Sequence, residues 1–247
     1  MVAALRSLPV PPPMVPRLTL VKHDADRRAE RAAHVLSTFH DWLGLAESDA
    51  RQVEKHYGLK PEVALRLGIK SVPSRVESLV LCSELKQLLG GDDWPAGFYT
   101  EGESLRFNCQ TRYGLVVQAW RRWPAGLMYY RHVADPRPHW ITSAEHPTGS
   151  PAVASIHAHS MLEDPAEVGR VFLVDHTLMS VAVAVRHKVS TVGLNGAAVS
   201  SVPAQMFEAF PKLRGVVIAL SEPHPRLERE MRDAGLSVCE WEGGGLL

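Results

Sequence analysis

The sequence predicts an α/β protein, α+β overall, and three features point to it. The run 171–174 is apolar without alternation, as expected of a parallel strand covered on both faces, and one acid, Asp175, ends it. The residues that follow, through 199, read as a sharp turn, an apolar helix, a short strand and a Gly-containing loop, the local order of a Rossmann-like sheet. Upstream, a helical period over 24–45 gives way to two-residue alternation between 104 and 132. The expected organisation is an extended arm (1–23), a helical segment (24–75), a small mixed α/β subdomain (76–150) and a C-terminal Rossmannoid sheet (151–247).

Taken in order, residues 8–16 are rich in proline, which fixes φ and lacks an N–H, so they cannot sustain a helix or a central strand. An extended arm, a tail or a partner-docking strap, is expected there. In 24–45, Ala32, Val35, Leu36, Phe39, Trp42 and Leu43 recur at steps of three and four, one apolar helix face. Two short helices follow at 46–56 and 61–67. Glu47 or Ser48 starts the first, Pro61 sits at an N1-like position of the second, and Gly58 and Gly68 close them. A further helix is predicted from Val76 through Leu89 up to the Gly90-Gly91 break, then strands at 104–108, 114–121 and 127–132 forming a sheet with one wet face. After the 170–199 unit come an apolar strand at 215–220, an amphipathic helix carrying Arg226, Arg229 and Arg232, and a last strand at 236–241.

Composition limits the functions available. The chain has 247 residues, long enough for a substantial core, and its 27 basic residues balance 27 acidic ones, so nucleic-acid contact would need a local patch rather than a global field. Its three cysteines, Cys82, Cys109 and Cys239, lie far apart with no CxxC pair, which argues against a zinc ribbon or a disulfide framework. No stretch reaches the roughly 18 to 20 apolar residues needed to span a bilayer, and no signal-peptide core is evident, so a cytoplasmic protein is expected.

The unit at 170–199 resembles the Toprim module of bacterial DNA primases and of primase-like proteins of plasmids and phages, whose pattern is strand, Glu-Gly, helix, strand and Gly-containing turn. The resemblance extends to HYGLKPEVALRLGIKSVP at 56–73, GFYTEG at 97–102, YGLVVQAW at 113–120 and HWITSAEHPTGSPAVASIHA at 139–158, in the family's order and over roughly residues 45–222. It implies a Glu for acid/base work at the first strand's end and an Asp-x-Asp metal pair after the later strand. Here Asp175 replaces the Glu, His176 the following Gly, and Ser221 and Pro223 stand where the aspartates belong. The helix lysine of plasmid-type relatives is Met179 and their nearby aspartate is Val181, which pushes that helix towards pure core. Magnesium prefers hard oxygen ligands, and this edge offers Asp175 and Glu222, with His224 as a possible third group. The expectation is therefore a degenerate, non-catalytic Toprim-like core with no cofactor. In the alternative, a working primase or nuclease, Asp175 and Glu222 would be catalytic and Asp175, Glu222 and His224 would hold Mg or Mn for phosphoryl transfer.

A binding role points to different residues. Arg106, Arg112, Arg121, Arg122 and Arg131 are interleaved with Trp120, Trp123, Tyr129 and Tyr130, the composition of a single-strand platform where guanidinium groups meet phosphates and rings stack on bases. The same composition also describes a solvated sheet with snorkelling aromatics. A helix-turn-helix reading of 46–68 offers only Lys60, Glu62 and Arg66 to reach bases, and helical packing is the expected role there. His157 and His159 share one face of an extended segment, and a metal site with Asp175 and His176 would require the fold to bring all four together. Asn195-Gly196 is expected to be a tight turn, although such a turn also permits close approach to a phosphate. The function favoured is a nucleic-acid-associated accessory protein of a mobile element, with a single strand or a replication protein as partner and oligomerisation possible. A structural subunit is the third reading.

Overall fold

The protein is described by a computed structural model covering residues 24–109, 111, 113–121, 124–134 and 136–241. The proline-rich stretch 8–16, Arg112, Arg122 and Trp123 lie outside the described residues.

Helix α1, Asp24–Trp42, buries Val35, Leu36 and Phe39 as its spacing requires. It stops three residues short of the predicted end, because Leu43 N–H turns back to the His40 carbonyl and the Gly44 carbonyl accepts from Ser71. Helix α2, Glu47–Tyr57, has no side-chain cap from Ser48 or Glu47. Ser71 relays one instead: its Oγ accepts from the N–H of the N-cap Ala46 at 2.8 Å and donates to Asp49 Oδ2 at 2.5 Å. Gly58 closes α2 in the left-handed region at φ 65°, and Pro61 opens α3, Pro61–Arg66, at its first position. Helix α4, Arg75–Leu89, begins with a Ser74/Glu77 capping box.

The first sheet has the order β1-β4-β5-β6, with β1 Ile69–Ser71, β4 Leu115–Trp120, β5 Pro124–Tyr130 and β6 His139–Trp140, all antiparallel. A separate hairpin pairs β2, Phe98–Glu101, with β3, Ser104–Phe107. The predicted wet face is absent: every β4 residue from Leu115 to Ala119 is buried. Val116, Leu127 and Tyr129 join a core with α1 and α4, while Leu115, Val117 and Tyr130 join another with α2, α3 and helix α5, Thr177–His187. Alternation here sorts residues between two cores rather than between core and water.

The second sheet has the order β11-β10-β8-β9-β7. Strands β8 (Arg170–Val174), β9 (Thr191–Gly193), β10 (Gly215–Ile218) and β11 (Ser237–Glu240) run parallel, and β7 (His157–His159) pairs antiparallel with β9. Val171 and Leu173 of β8 pack with helices α6, Val202–Ala209, and α7, Pro225–Asp233, while Val174 packs with Val183 of α5. The strand is thus covered on both faces, as its unbroken apolar run predicts. Helix α5 carries Leu178, Val181 and Ala182 into the core of the first sheet, so one helix seals both halves. Leu178→Ala, at a wholly buried position, is expected to lower stability by about 2–5 kcal/mol in urea unfolding; a loss under about 1 kcal/mol would show that α5 is not a shared wall.

The chain leaves β8 for β9 on one side and then returns to place β10 on the other. The β8/β10 boundary is therefore the topological switch point, where the carboxyl ends of two adjacent strands diverge and open-sheet α/β proteins form their crevice.

Candidate functional site

Asp175 follows β8 and Ser221-Glu222 follow the end of β10, so the two loops meet across the switch point. The Asp175 carboxylate accepts a hydrogen bond from the Ser221 backbone N–H through Oδ2 at 3.0 Å. One oxygen of the acid is thereby used to tie the second loop to the first. Glu222 is exposed, and His224 is half-buried at the N-cap position of α7 without capping it. Among the described residues, no three His, Cys, Asp or Glu side chains stand together as a metal-holding group. The structure thus does not assemble Asp175, Glu222 and His224 into such a set, nor His157, His159, Asp175 and His176. With Ser221 and Pro223 contributing no carboxylate, the donors at this edge do not fit a Toprim-type metal pair.

The start of α5, the natural anion site beside Asp175, is filled by the protein itself. His176 is the N-cap, and its Nδ1 accepts from Met179 N–H at 3.3 Å. Asn195 Oδ1 accepts from both Thr177 N–H at 2.9 Å and Thr177 Oγ1 at 3.1 Å. The Asn195 amide donates to the Ser155 carbonyl, and the Asn195 carbonyl accepts from Trp140 Nε1 at 3.0 Å. Asn195 and Gly196 adopt φ of 53° and 74°, and Ala197 N–H closes the turn onto Leu194 at 2.9 Å. This is the tight turn that the sequence suggests. Gly193 lets it close on α5, since a Cβ there would lie 2.8 Å from the His176 carbonyl carbon. His176 itself is buried with the rings of Tyr57 and Tyr130 about it, at 6.2 and 5.9 Å. Burial pulls its pKa down to about 4 against the opposing pull of Asp175, so the imidazole is neutral at neutral pH and free to accept the cap bond.

His157 on β7 is also structural. Its Nδ1 accepts from Trp120 N–H at 3.3 Å, joining the two sheets. Burial and the neighbouring His159 push its pKa down to about 3, and burial lowers His159 as well.

The arginines expected to bind a strand are distributed as follows. Arg106 on β3 pairs with Glu101 at 3.0 Å, and Arg121, just after β4, pairs with Glu208 of α6 at 3.1 Å. Arg131, just after β5, is exposed and lies over the Tyr129 ring at 5.9 Å. Because Leu115 pairs with Tyr130, Arg131 stands at one end of the β4–β5 ladder and Arg121 at the other, roughly 20 Å apart at strand rise. Trp120 is exposed, but Tyr129 and Tyr130 are core residues with no face for a base. Sequence reasoning missed Arg75 and Tyr99, which line one cavity together with Arg106, Phe107 and Cys109. Tyr99 also stacks on His146 at 3.5 Å. The sequence signal was present, because Arg75 opens α4 and Tyr99 lies in GFYTEG, but only the hairpin brings them together.

No family profile and no curated relative matches the sequence. Among solved structures, the fold is similar to the zinc-binding and RNA polymerase domains of the Aquifex aeolicus primase, with a TM-score of 0.57 at 16% identity, over 89% of this chain and 57% of that one. The chain therefore spans little more than half the length of that primase chain. A DnaG catalytic core matches with TM-score 0.53 at 16% identity over 87% of this chain and 73% of the other. A DNA primase domain from Pseudomonas aeruginosa matches with TM-score 0.53 at 13% identity over 87% and 72%. At these identities the likeness establishes the architecture, that of a bacterial primase catalytic core with its Toprim-like sheet.

Proposed function

We propose that this chain, built on a primase-core architecture, is a nucleic-acid-associated accessory protein that binds a single strand or a replication partner and does not transfer phosphoryl groups. The observation that carries this reading is the switch-point edge. Its one strand-end acid is tied to the Ser221 amide, the metal-pair positions are Ser221 and Pro223, and the adjacent helix start is capped by His176 and Asn195. The motif resemblance to plasmid and phage primase-like proteins supports a place in the replication or maintenance of a mobile element. Exposed Trp120 and Arg131, with Arg112 and Arg122 in the neighbouring sequence, support a single-strand contact along the first sheet rather than at the switch point. Among the described residues, no helix is long and apolar enough to cross a membrane.

The test is binding of a labelled single strand across a salt series, with and without Mg or Mn. Affinity is expected to fall with salt, to ignore metal, and to survive Asp175→Ala with Glu222→Ala. Arg131→Ala should lower the salt slope by about 1, and Trp120→Ala should weaken binding by roughly 1–3 kcal/mol. Metal-dependent synthesis or cleavage lost in the Asp175→Ala, Glu222→Ala variant would replace this reading with an active enzyme. No binding would leave a structural subunit.

A further inference from the structure

A cation in the first turn of a helix stands against the positive end of the helix dipole, so Arg75, the first residue of α4, is placed there at some loss of stability. No partner offsets it: among the described residues, the Arg75 side chain has neither a hydrogen bond nor an ion pair. The acids beside it in sequence and across the groove are committed elsewhere. Glu77 turns back to accept from Ser74 N–H at 3.2 Å, and Glu101 accepts from Arg106 Nε at 3.0 Å.

Arg75 lines a cavity of about 430 Å³ between α4 and the β2–β3 hairpin, a size that holds a small organic ligand. Tyr99 pairs with Arg106 in the hairpin register, so their side chains share one face, with Glu101 two residues along from Tyr99. All three reach this cavity, as do Leu79 and Phe107. The Tyr99 ring lies flat against His146 at 3.5 Å, and its hydroxyl has no hydrogen-bond partner among the described residues. Glu101 engages Arg106 through Nε, which leaves both Nη groups available. The lining thus sets two guanidinium groups and a phenol, all donors, against one carboxylate. The neighbouring cavity, which shares Leu79 and Arg106, adds Lys86 and Glu103, whose opposite charges leave the positive excess beside Arg75.

Two arginine forks lining one cavity suit a phosphate group, which brings about 1.5 to 2 negative charges and three acceptor oxygens, whereas a carboxylate would leave one fork idle. Leu79 and Phe107 supply an apolar wall for the body that carries the phosphate. We propose that this cavity binds a small organic phosphate monoester, its phosphate held by Arg75, Arg106 and the Tyr99 hydroxyl and its body against Leu79 and Phe107. The site uses none of the residues assigned above to the single-strand contact, so it stands whether or not a strand binds.

The test is calorimetric titration of the full chain with phenyl phosphate, benzoate and inorganic phosphate. Phenyl phosphate is expected to bind with a Kd of about 1 mM or tighter, and benzoate about tenfold more weakly. Arg75→Ala, at an exposed position, should weaken phenyl phosphate by about tenfold or more. Glu101→Gln should tighten it by about threefold, because the opposing charge is removed. Leu79→Ser should weaken phenyl phosphate and leave inorganic phosphate unchanged. Phenyl phosphate that does not bind, or that binds Arg75→Ala equally well, would overturn the proposal, and benzoate at equal affinity would overturn it in favour of a carboxylate site. An oligonucleotide without a terminal phosphate that displaces phenyl phosphate would overturn it in favour of the strand's own phosphodiesters.

Discussion

Stability is expected to collapse in mild acid, between about pH 6.5 and pH 4, and three buried histidines are the cause. Burial pulls His40 and His176 down to about 4, helped at His40 by the charge of Lys70 and opposed at His176 by Asp175. Burial and His159 pull His157 down to about 3. A folded pKa depressed below the unfolded value of 6.5 means that the unfolded chain takes up protons first as pH falls. The stabilisation is therefore complete above pH 6.5 and is lost progressively until the folded pKa is reached. Each histidine contributes about 1.4 kcal/mol per pH unit inside its window, roughly 4 kcal/mol per unit for the three together. That is about 10 kcal/mol by pH 4, so a domain in the lower half of the ordinary range of about 5–15 kcal/mol would then unfold within two or three units of neutrality. Geometry agrees with the sign: protonating Nδ1 of His157 removes the acceptor for Trp120 N–H, and protonating His176 removes the α5 cap. The check is urea unfolding at half-unit pH steps, with His157→Gln expected to remove about a third of the slope. Stability that stays flat from pH 7 to pH 5 would falsify this account.

Gly114→Ala is expected to cost about 3–5 kcal/mol, enough to unfold a protein of modest stability. Gly114 enters β4 at φ 99°, a conformation L-residues rarely adopt, and a Cβ there would sit 2.0 Å from the Tyr130 carbonyl oxygen. Backbone, not a flexible side chain, is in the way, so the β4–β5 ladder must move. Its own carbonyl also accepts from Val72 N–H at 2.9 Å, holding β1 in register. The damage should reach beyond the sheet, since Tyr130 packs in one core with Leu178 and Val181 of α5 and its ring faces His176. The variant's midpoint in urea and its near-ultraviolet circular dichroism give the measure. A loss below about 1 kcal/mol would mean that the strand start can relax, and the tight β4–β5 approach would no longer be needed to explain the glycine.

Several elements are legible in the sequence because each is written in local chemistry. The unbroken apolar run of β8 ended by Asp175, Pro61 at the first position of α3, and Gly58 beyond α2 are signals carried by a few adjacent residues. Strands β1, β2 and β6 have only two to four residues each, and the sequence marks none of them as a strand, whereas the extended segment expected at His157 and His159 is β7. The Ser74/Glu77 box is visible as S-x-x-E, and it moves the start of α4 one residue ahead of the predicted Val76. Tyr129 and Tyr130 drop out of the expected platform for a specific reason. Alternation at Tyr129 and Tyr130 reports two different environments, and a single sequence does not reveal that the second is another core rather than water.

The sequence by itself determined the α/β class, the order of the elements and the acid at the carboxyl end of the leading parallel strand, because strand and helix periods and turn residues act over neighbours. Only the tertiary structure decided what that acid does. The Asp175–Ser221 contact spans 46 residues, the Arg121–Glu208 pair 87, and the Trp120–His157 bond 37. Contacts so distant along the chain exist only after the sheets have chosen their strand order, and that order is set by which apolar faces can be buried together, a property of the whole chain.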